Sequence, residues 1–233
     1  MWSSPHVFTH TVLYAAAALL SQGHCQKKVT AAFTDAATNI SFQRFFGAKT
    51  SFAFGIALPE APNNSFIGQL SFPLSDGAGW GGWSLTDDMK GPLLMAALGR
   101  RHESLTDNFK ARPIATGTSV NSSSLTYTFL CEECLDEALE LVATAATGTA
   151  KMGWALGSNK VENSASPAAM LNFHHLGFGG FQAQLAEARS AQFDQWATMA
   201  GAPLAPAAGA SLIESEKKKK KEKGKDEIKG GVG

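Results

Sequence analysis

The chain is poor in several features that usually decide a protein's class. It has three cysteines and two tyrosines in 233 residues, and its charges sum to zero. The apolar run near its start, Val12 to Leu20, is far short of the roughly 20 residues needed to cross a bilayer. Three cysteines exclude a disulfide-dense scaffold and a four-thiolate zinc site. No Gly-x-Gly-x-x-Gly strand-to-helix unit is present, which argues against a dinucleotide-binding domain. The neutral total hides an imbalance, because from Glu214 to the end eight lysines face five acidic residues, a net of +3. The remainder therefore carries about −3, and a mildly acidic domain argues against nucleic acid as a partner.

Phenylalanine, tryptophan and glycine are plentiful, at 15, 5 and 23 residues. That mixture suits short strands joined by tight turns better than long helices. Both ends depart from it. Residues 1–25 have the length and apolar centre of a secretory signal peptide, although the positive leading region is missing. Residues 202–233 turn first to Ala, Pro and Gly and then to Lys217 through Lys221 and a Lys/Glu/Gly mixture. Such a tail buries too little apolar surface to offset its ordering entropy. A solvated tail is the plain reading, and weak adhesion to an anionic surface the sharper one. Between the ends, residues 26–201 make one domain of about 175 to 185 residues, enough for a sizeable core. Sequons at Asn39, Asn63 and Asn121 accord with secretion and glycosylation.

Period-two patterning places Phe52, Phe54, Ile56 and Leu58 on one face of a half-buried strand, with Ser51, Ala53, Gly55 and Ala57 on the other. Leu125, Tyr127 and Phe129 alternate with threonines in the same way. Further apolar runs at Phe66 to Phe72, Trp80 to Leu85, Leu93 to Leu98, Leu139 to Ala143 and Met152 to Leu156 are separated by turn-forming residues. The spacing predicts an all-β antiparallel sandwich. One short C-terminal helix is expected between about Gln184 and Met199.

Three groups of residues could carry chemistry. Cys131 and Cys134 form Cys-Glu-Glu-Cys at a strand end. Covalent haem attachment needs a histidine directly after the second cysteine, and Leu135 stands there. A zinc site lacks a second pair of ligands, and a thioredoxin-like motif lacks its βαβ setting. A tight structural disulfide remains. Met89 sits in a polar turn, Ser84 to Pro92, unlike Met95, Met152 or Met170, which read as core filler. His174 and His175 lie in a Gly- and aromatic-rich stretch, Asn172 to Gly180, expected to be a loop. Adjacent loop histidines are more often surface residues than ligands, so these residues alone do not identify a cofactor.

From about Phe33 to Trp196 the sequence resembles the haem-binding cytochrome domain of fungal cellobiose dehydrogenase, a DOMON-like, immunoglobulin-like sandwich related to iron-reductase domains. The matching stretches are Phe33-Thr34-Asp35, Phe52-Ala53-Phe54-Gly55, Leu58-Pro59, Phe66-Ile67-Gly68-Gln69, Phe129 to Cys134 and Trp154-Ala155-Leu156. In that family a ligand methionine follows a Trp-containing strand and a short turn, which corresponds to Trp80 through Met89. The ligand histidine precedes an aromatic and glycine loop and an Ala-rich stretch ending in an aromatic. Counting back from Ala188 to Phe193 without a gap reaches His175, whereas His174 requires a one-residue shift. A tyrosine that the family places near the haem edge has no counterpart at Ala115 to Thr118, and Lys110 or Arg112 is instead the candidate partner for the propionates.

The resemblance thus implies non-covalent haem b with Met89 and His175 as axial ligands of the iron, and His174 beside them. Two protein ligands leave no open position, so an electron carrier is expected rather than a catalyst. The implied donor is a flavin dehydrogenase and the implied acceptor a copper polysaccharide monooxygenase or ferric iron. With no flavin domain in evidence, the chain is not expected to oxidise cellobiose by itself. The competing reading is a haem-free DOMON-like sandwich that binds carbohydrate or another small ligand. A third is an adhesion module acting through the Lys-rich tail.

Overall fold

The structure is a computed structural model that describes residues 28–86, 94–98, 110–135, 148–163 and 169–204. The candidate signal peptide, Met89, the run Leu139 to Ala143 and the Lys-rich tail lie outside the described residues.

Two antiparallel sheets face one another. The larger holds β1 (Ala31–Thr34), β2 (Ser41–Gly47), β3 (Phe52–Pro59), β4 (Phe66–Pro73), β9 (Ser124–Glu132) and β7 (Lys110–Pro113) in that order. Two short strands join it, β8 (Ser119–Val120) on β9 and β12 (Arg189–Ser190) on β3. The smaller sheet runs β11 (Gly177–Gln184), β10 (Thr149–Gly157), β5 (Trp80–Ser84), β6 (Leu94–Leu98). The expected sandwich is therefore what the chain forms.

The core between the sheets follows from the alternation. Phe52, Phe54, Ile56 and Leu58 of β3, with Leu70, Phe72, Leu125, Tyr127 and Phe129, meet Trp83, Met152, Leu156 and Phe181 from the smaller sheet. Phe54 stacks on Trp83 with centroids 4.1 Å apart, and Phe45 on Phe181 at 4.5 Å. Each such ring contributes about 1.5–3 kcal/mol by leaving water.

Two sequence expectations need correction. β3 is not half-buried, because all eight of its residues are buried. Its second face is covered by a separate cluster in which Ala57, Ile67, Phe42 and Leu130 meet Phe193 and Trp196 of the short helix α1 (Phe193–Ala197). That helix is also much shorter than the span from Gln184 to Met199. The chain before it is drawn into sheet pairing: the Leu58 amide donates to the Ala188 carbonyl at 2.8 Å, and Arg189 pairs in parallel with Leu58. The Arg189 guanidinium donates to the Pro59 carbonyl at 2.9 Å. These bonds favour an extended backbone where composition alone favoured helix.

Segments just before β1 and just after α1 seal exposed edges. Residues at the start run alongside β11, with the Gln182 amide donating to the Lys28 carbonyl at 2.7 Å and the Thr30 amide to the Gln182 carbonyl at 2.9 Å. After α1 the Leu204 amide donates to the Ala111 carbonyl of β7 at 2.9 Å. Unpaired strand edges invite intermolecular pairing, and these segments remove part of that hazard.

Candidate functional site

The smaller sheet turns one face to the core and the other outward, and the outward face is unusual in its side chains. Cross-strand pairing puts Trp80 opposite Gly157, Gly82 opposite Ala155 and Ser84 opposite Gly153. On the other side of β10, Ala155 pairs with Phe178 and Gly153 with Gly180. On the other side of β5, Gly82 pairs with Ala96. Because successive residues alternate between faces, the outer face carries Gly82, Gly153, Ala155, Gly180 and Ala96 near its middle, flanked by Trp80 and Phe178. The result is a floor with nothing larger than the Ser84 hydroxymethyl group in its centre, and Gly82, Ser84, Gly153 and Ala155 are buried there.

The connection after β10 comes back over this face. Trp80 and Ala155 form a small apolar cluster with Val161, and Ala169 and Leu171 pack against it. At the rim, large apolar side chains face solvent: Met170 is 85% exposed, Phe173 70%, Phe178 62% and Leu176 42%. Four in one short stretch is more than the scattered exposure that soluble proteins show, and it marks a binding surface.

The histidine pair stands at this rim, its carbonyl and amide groups tied into the start of β11. The Leu176 amide donates to the Leu156 carbonyl at 3.2 Å and the Gly177 amide to the His174 carbonyl at 3.1 Å. Contrary to the expectation of a loop through Gly180, β11 begins at Gly177. Gly177 takes φ of +150°, and a Cβ there would lie 2.9 Å from the Trp154 ring, so only glycine fits.

The two histidines have different surroundings. His174 is half-buried among rings, with centroids 4.4 Å from Phe178, 4.6 Å from Phe173 and 6.4 Å from Trp80. Its Nδ1 is buried without a hydrogen-bond partner. His175 is exposed, with Nδ1 3.2 Å from the Phe173 carbonyl oxygen and Nε2 3.0 Å from the Ser158 hydroxyl. Leaving a polar nitrogen buried and unpaired costs about 1–3 kcal/mol, which packing alone does not require.

Other candidates lie elsewhere. Cys131 and Cys134 are joined as a disulfide at the end of β9 in the larger sheet. Arg112, the candidate propionate partner, is fully engaged: it pairs with Glu132 at 2.9 Å and donates to the Gly201 and Ala200 carbonyls. Lys110, on the same strand, is 4.0 Å from Glu133. Neither is at the small-residue face, since β7 belongs to the other sheet. Asn39, Asn63 and Asn121 are exposed, and the Asn63 and Asn121 carbonyl oxygens each accept an amide two residues on at 2.8 Å. Among the described residues, no group of three or more His, Cys, Asp or Glu side chains is gathered to hold a metal. No described helix is long and apolar enough to cross a membrane.

Residues 33–195 match the family model of the cytochrome domain of cellobiose dehydrogenase. The chain belongs to this family. Among solved structures, the cytochrome domain of Myriococcum thermophilum cellobiose dehydrogenase is similar to it with a TM-score of 0.62 at 24% identity, over 77% of this chain and 100% of that one. The cytochrome b domain of pyranose dehydrogenase from Coprinopsis cinerea is similar with a TM-score of 0.57 at 21% identity, over 76% and 99%. No curated protein matches significantly. Membership of a cytochrome family implies haem binding and electron transfer.

The residues described fit such a group. A flat tetrapyrrole needs a floor without projecting side chains, aromatic walls and an imidazole at the rim, and the outer face of the smaller sheet offers all three. Trp80, Phe178 and the small-residue floor were not singled out from sequence as a site. Their signal was present in the period-two run Gly153, Ala155, Gly157 and in the pair Gly81-Gly82.

Proposed function

We propose that this cytochrome is a secreted carrier of single electrons that holds haem b non-covalently over the outer face of the smaller sheet, with Met89 and His175 as axial ligands. The observation that carries this reading is the small-residue face flanked by Trp80 and Phe178, with the histidine pair at its rim. When bound, the group supplies a one-electron ferric/ferrous couple.

This chain's residues do the rest. His175 is the ligand of choice because its Nδ1 is already held by the Phe173 carbonyl, the outer bond that fixes tautomer and ring orientation in ligating histidines. His174 lines the pocket against Trp80 and Phe178. Met89, between β5 and β6 in sequence, would supply the thioether. A thioether ligand favours the ferrous state and raises the potential. Met89 and His175 would hold the group, and the exposed rim formed by Phe173, Leu176 and Phe178 would lie open to a redox partner. Donors of the flavin dehydrogenase class and acceptors such as a copper polysaccharide monooxygenase or ferric iron suit such a carrier. Residues 1–25 would be removed on secretion, residues 26–201 form the cytochrome domain, and residues 202–233 make a polar tail.

The test is optical. The protein produced with ample haem should give the sharp ferrous bands of a six-coordinate, low-spin cytochrome after mild reduction. Met89→Ala and His175→Ala should abolish that signature, and His174→Ala should weaken binding while keeping it. Absence of bound haem, together with retention on a polysaccharide matrix, would replace this reading with that of a carbohydrate-binding sandwich.

A further inference from the structure

The ring of His175 is held at both nitrogens. A carbonyl oxygen can only accept, so the Phe173 contact at 3.2 Å puts the proton of the neutral ring on Nδ1. Nε2 then presents its single lone pair, and the Ser158 hydroxyl 3.0 Å away donates to it. The contact does not depend on two loose side chains. Ser158 follows directly on Gly157, the last residue of β10, where a Cβ would lie 2.5 Å from the Trp80 indole nitrogen. Ser158 is half-buried, and its Cα lies 3.5 Å from where a Cβ on Gly79 would stand. On the other side, the amide of His175 donates to the Phe173 carbonyl at 2.9 Å, and the next amide donates to Leu156 of β10.

We propose that Ser158 is a positioning residue that occupies the ligand lone pair of His175 in the haem-free chain and must release it when haem binds. This inference rests on His175 being the ligand. An imidazole nitrogen has one in-plane lone pair, so hydrogen bond and iron compete for it directly. The bond keeps the ring in the tautomer that coordination needs and saves Nε2 from standing idle. It also makes the cofactor displace a hydrogen bond, which lowers apparent affinity. Removing the hydroxyl should therefore tighten haem binding, the opposite of what loss of a supporting residue does.

Haem-free protein is titrated with haemin, and affinity is read from the Soret band for wild type, Ser158→Ala and Ser158→Thr. Ser158→Ala should bind about two- to tenfold more tightly, the worth of one ordinary hydrogen bond, with an unchanged six-coordinate spectrum. Ser158→Thr, which keeps a hydroxyl, should return to wild-type affinity. Equal or weaker binding by Ser158→Ala, in a protein where His175→Ala destroys the six-coordinate spectrum, overturns the proposal and leaves the ligand assignment standing. If His175→Ala keeps that spectrum and His174→Ala loses it, the ligand assignment itself has failed and the proposal falls with it.

Discussion

The indole of Trp80 stands edge-on to the imidazole of His174, their centroids 6.4 Å apart and their planes at 66°. Trp80 is the first residue of β5 and almost fully buried, so this contact fixes the histidine pair to the sheet that forms the floor of the site. The position of the indole depends on glycine at 157, where a Cβ would approach the indole nitrogen to 2.5 Å. Gly157→Ala must therefore displace the Trp80 indole. The expected cost is about 1–3 kcal/mol, as for other overpacked sites, read as a lowered denaturation midpoint. A changed near-ultraviolet tryptophan signal should accompany it. A variant with wild-type midpoint and spectrum would show that Trp80 is not locked as described.

Gly180 lies in the same floor but near its open side, partly exposed and opposite Gly153. A leucine there would project from the face without entering the core between the sheets. Gly180→Leu should leave the haem-free fold within about 1 kcal/mol of wild type, the range for substitutions near the surface. Haem affinity should fall by at least tenfold. Undiminished affinity would place the cofactor elsewhere.

The sandwich was legible in the sequence because β3 and β9 alternate strictly, and a face of Phe, Ile and Leu at every second residue has only one stable use. The second covering of β3 was not legible. Ala53, Gly55 and Ala57 read as an exposed face, yet they are small because Phe42 and α1 press close there. The helix was overextended because Leu185 through Ala191 has helical composition, whereas the bonds of Ala188 and Arg189 to β3 are long-range. At the site, the histidine pair could be picked out by family spacing, but its floor could not. Small residues on a strand usually signal nothing, and only the register of β11, β10 and β5 shows that they adjoin one another.

The disulfide offers a test of how independent the two sheets are. Cys131 and Cys134 are three residues apart in sequence and both fully buried in the core at the end of β9. Closing so short a loop restricts the unfolded chain modestly, by about 2 kcal/mol. Replacing both cysteines with alanine should lower unfolding free energy by at least that amount in denaturant titrations. Haem affinity should hold, since the proposed site lies on the other sheet. If affinity fell by more than tenfold while the fold persisted, the site would reach further into the sandwich than the outer face.

The alkaline limb of stability should belong in part to Tyr127. Its ring stacks on Phe129 with centroids 5.0 Å apart inside the core, and burial raises the phenol's pKa above its ordinary value by penalising the charged form. The sign follows from linkage. Below about pH 10 both folded and unfolded chains keep the proton, and the contribution is fully present. Above it the unfolded chain loses the proton while the folded one keeps it, so stability falls by up to about 1.4 kcal/mol per pH unit from this group. Tyr127→Phe should remove that part of the slope while leaving the stacked ring in place. The measurement is unfolding free energy from pH 8 to 11 in both proteins, the difference between them isolating Tyr127 from the lysines that titrate in the same range. Parallel curves would mean that the phenol ionises in the folded protein as freely as in water, which its burial against Phe129 does not allow.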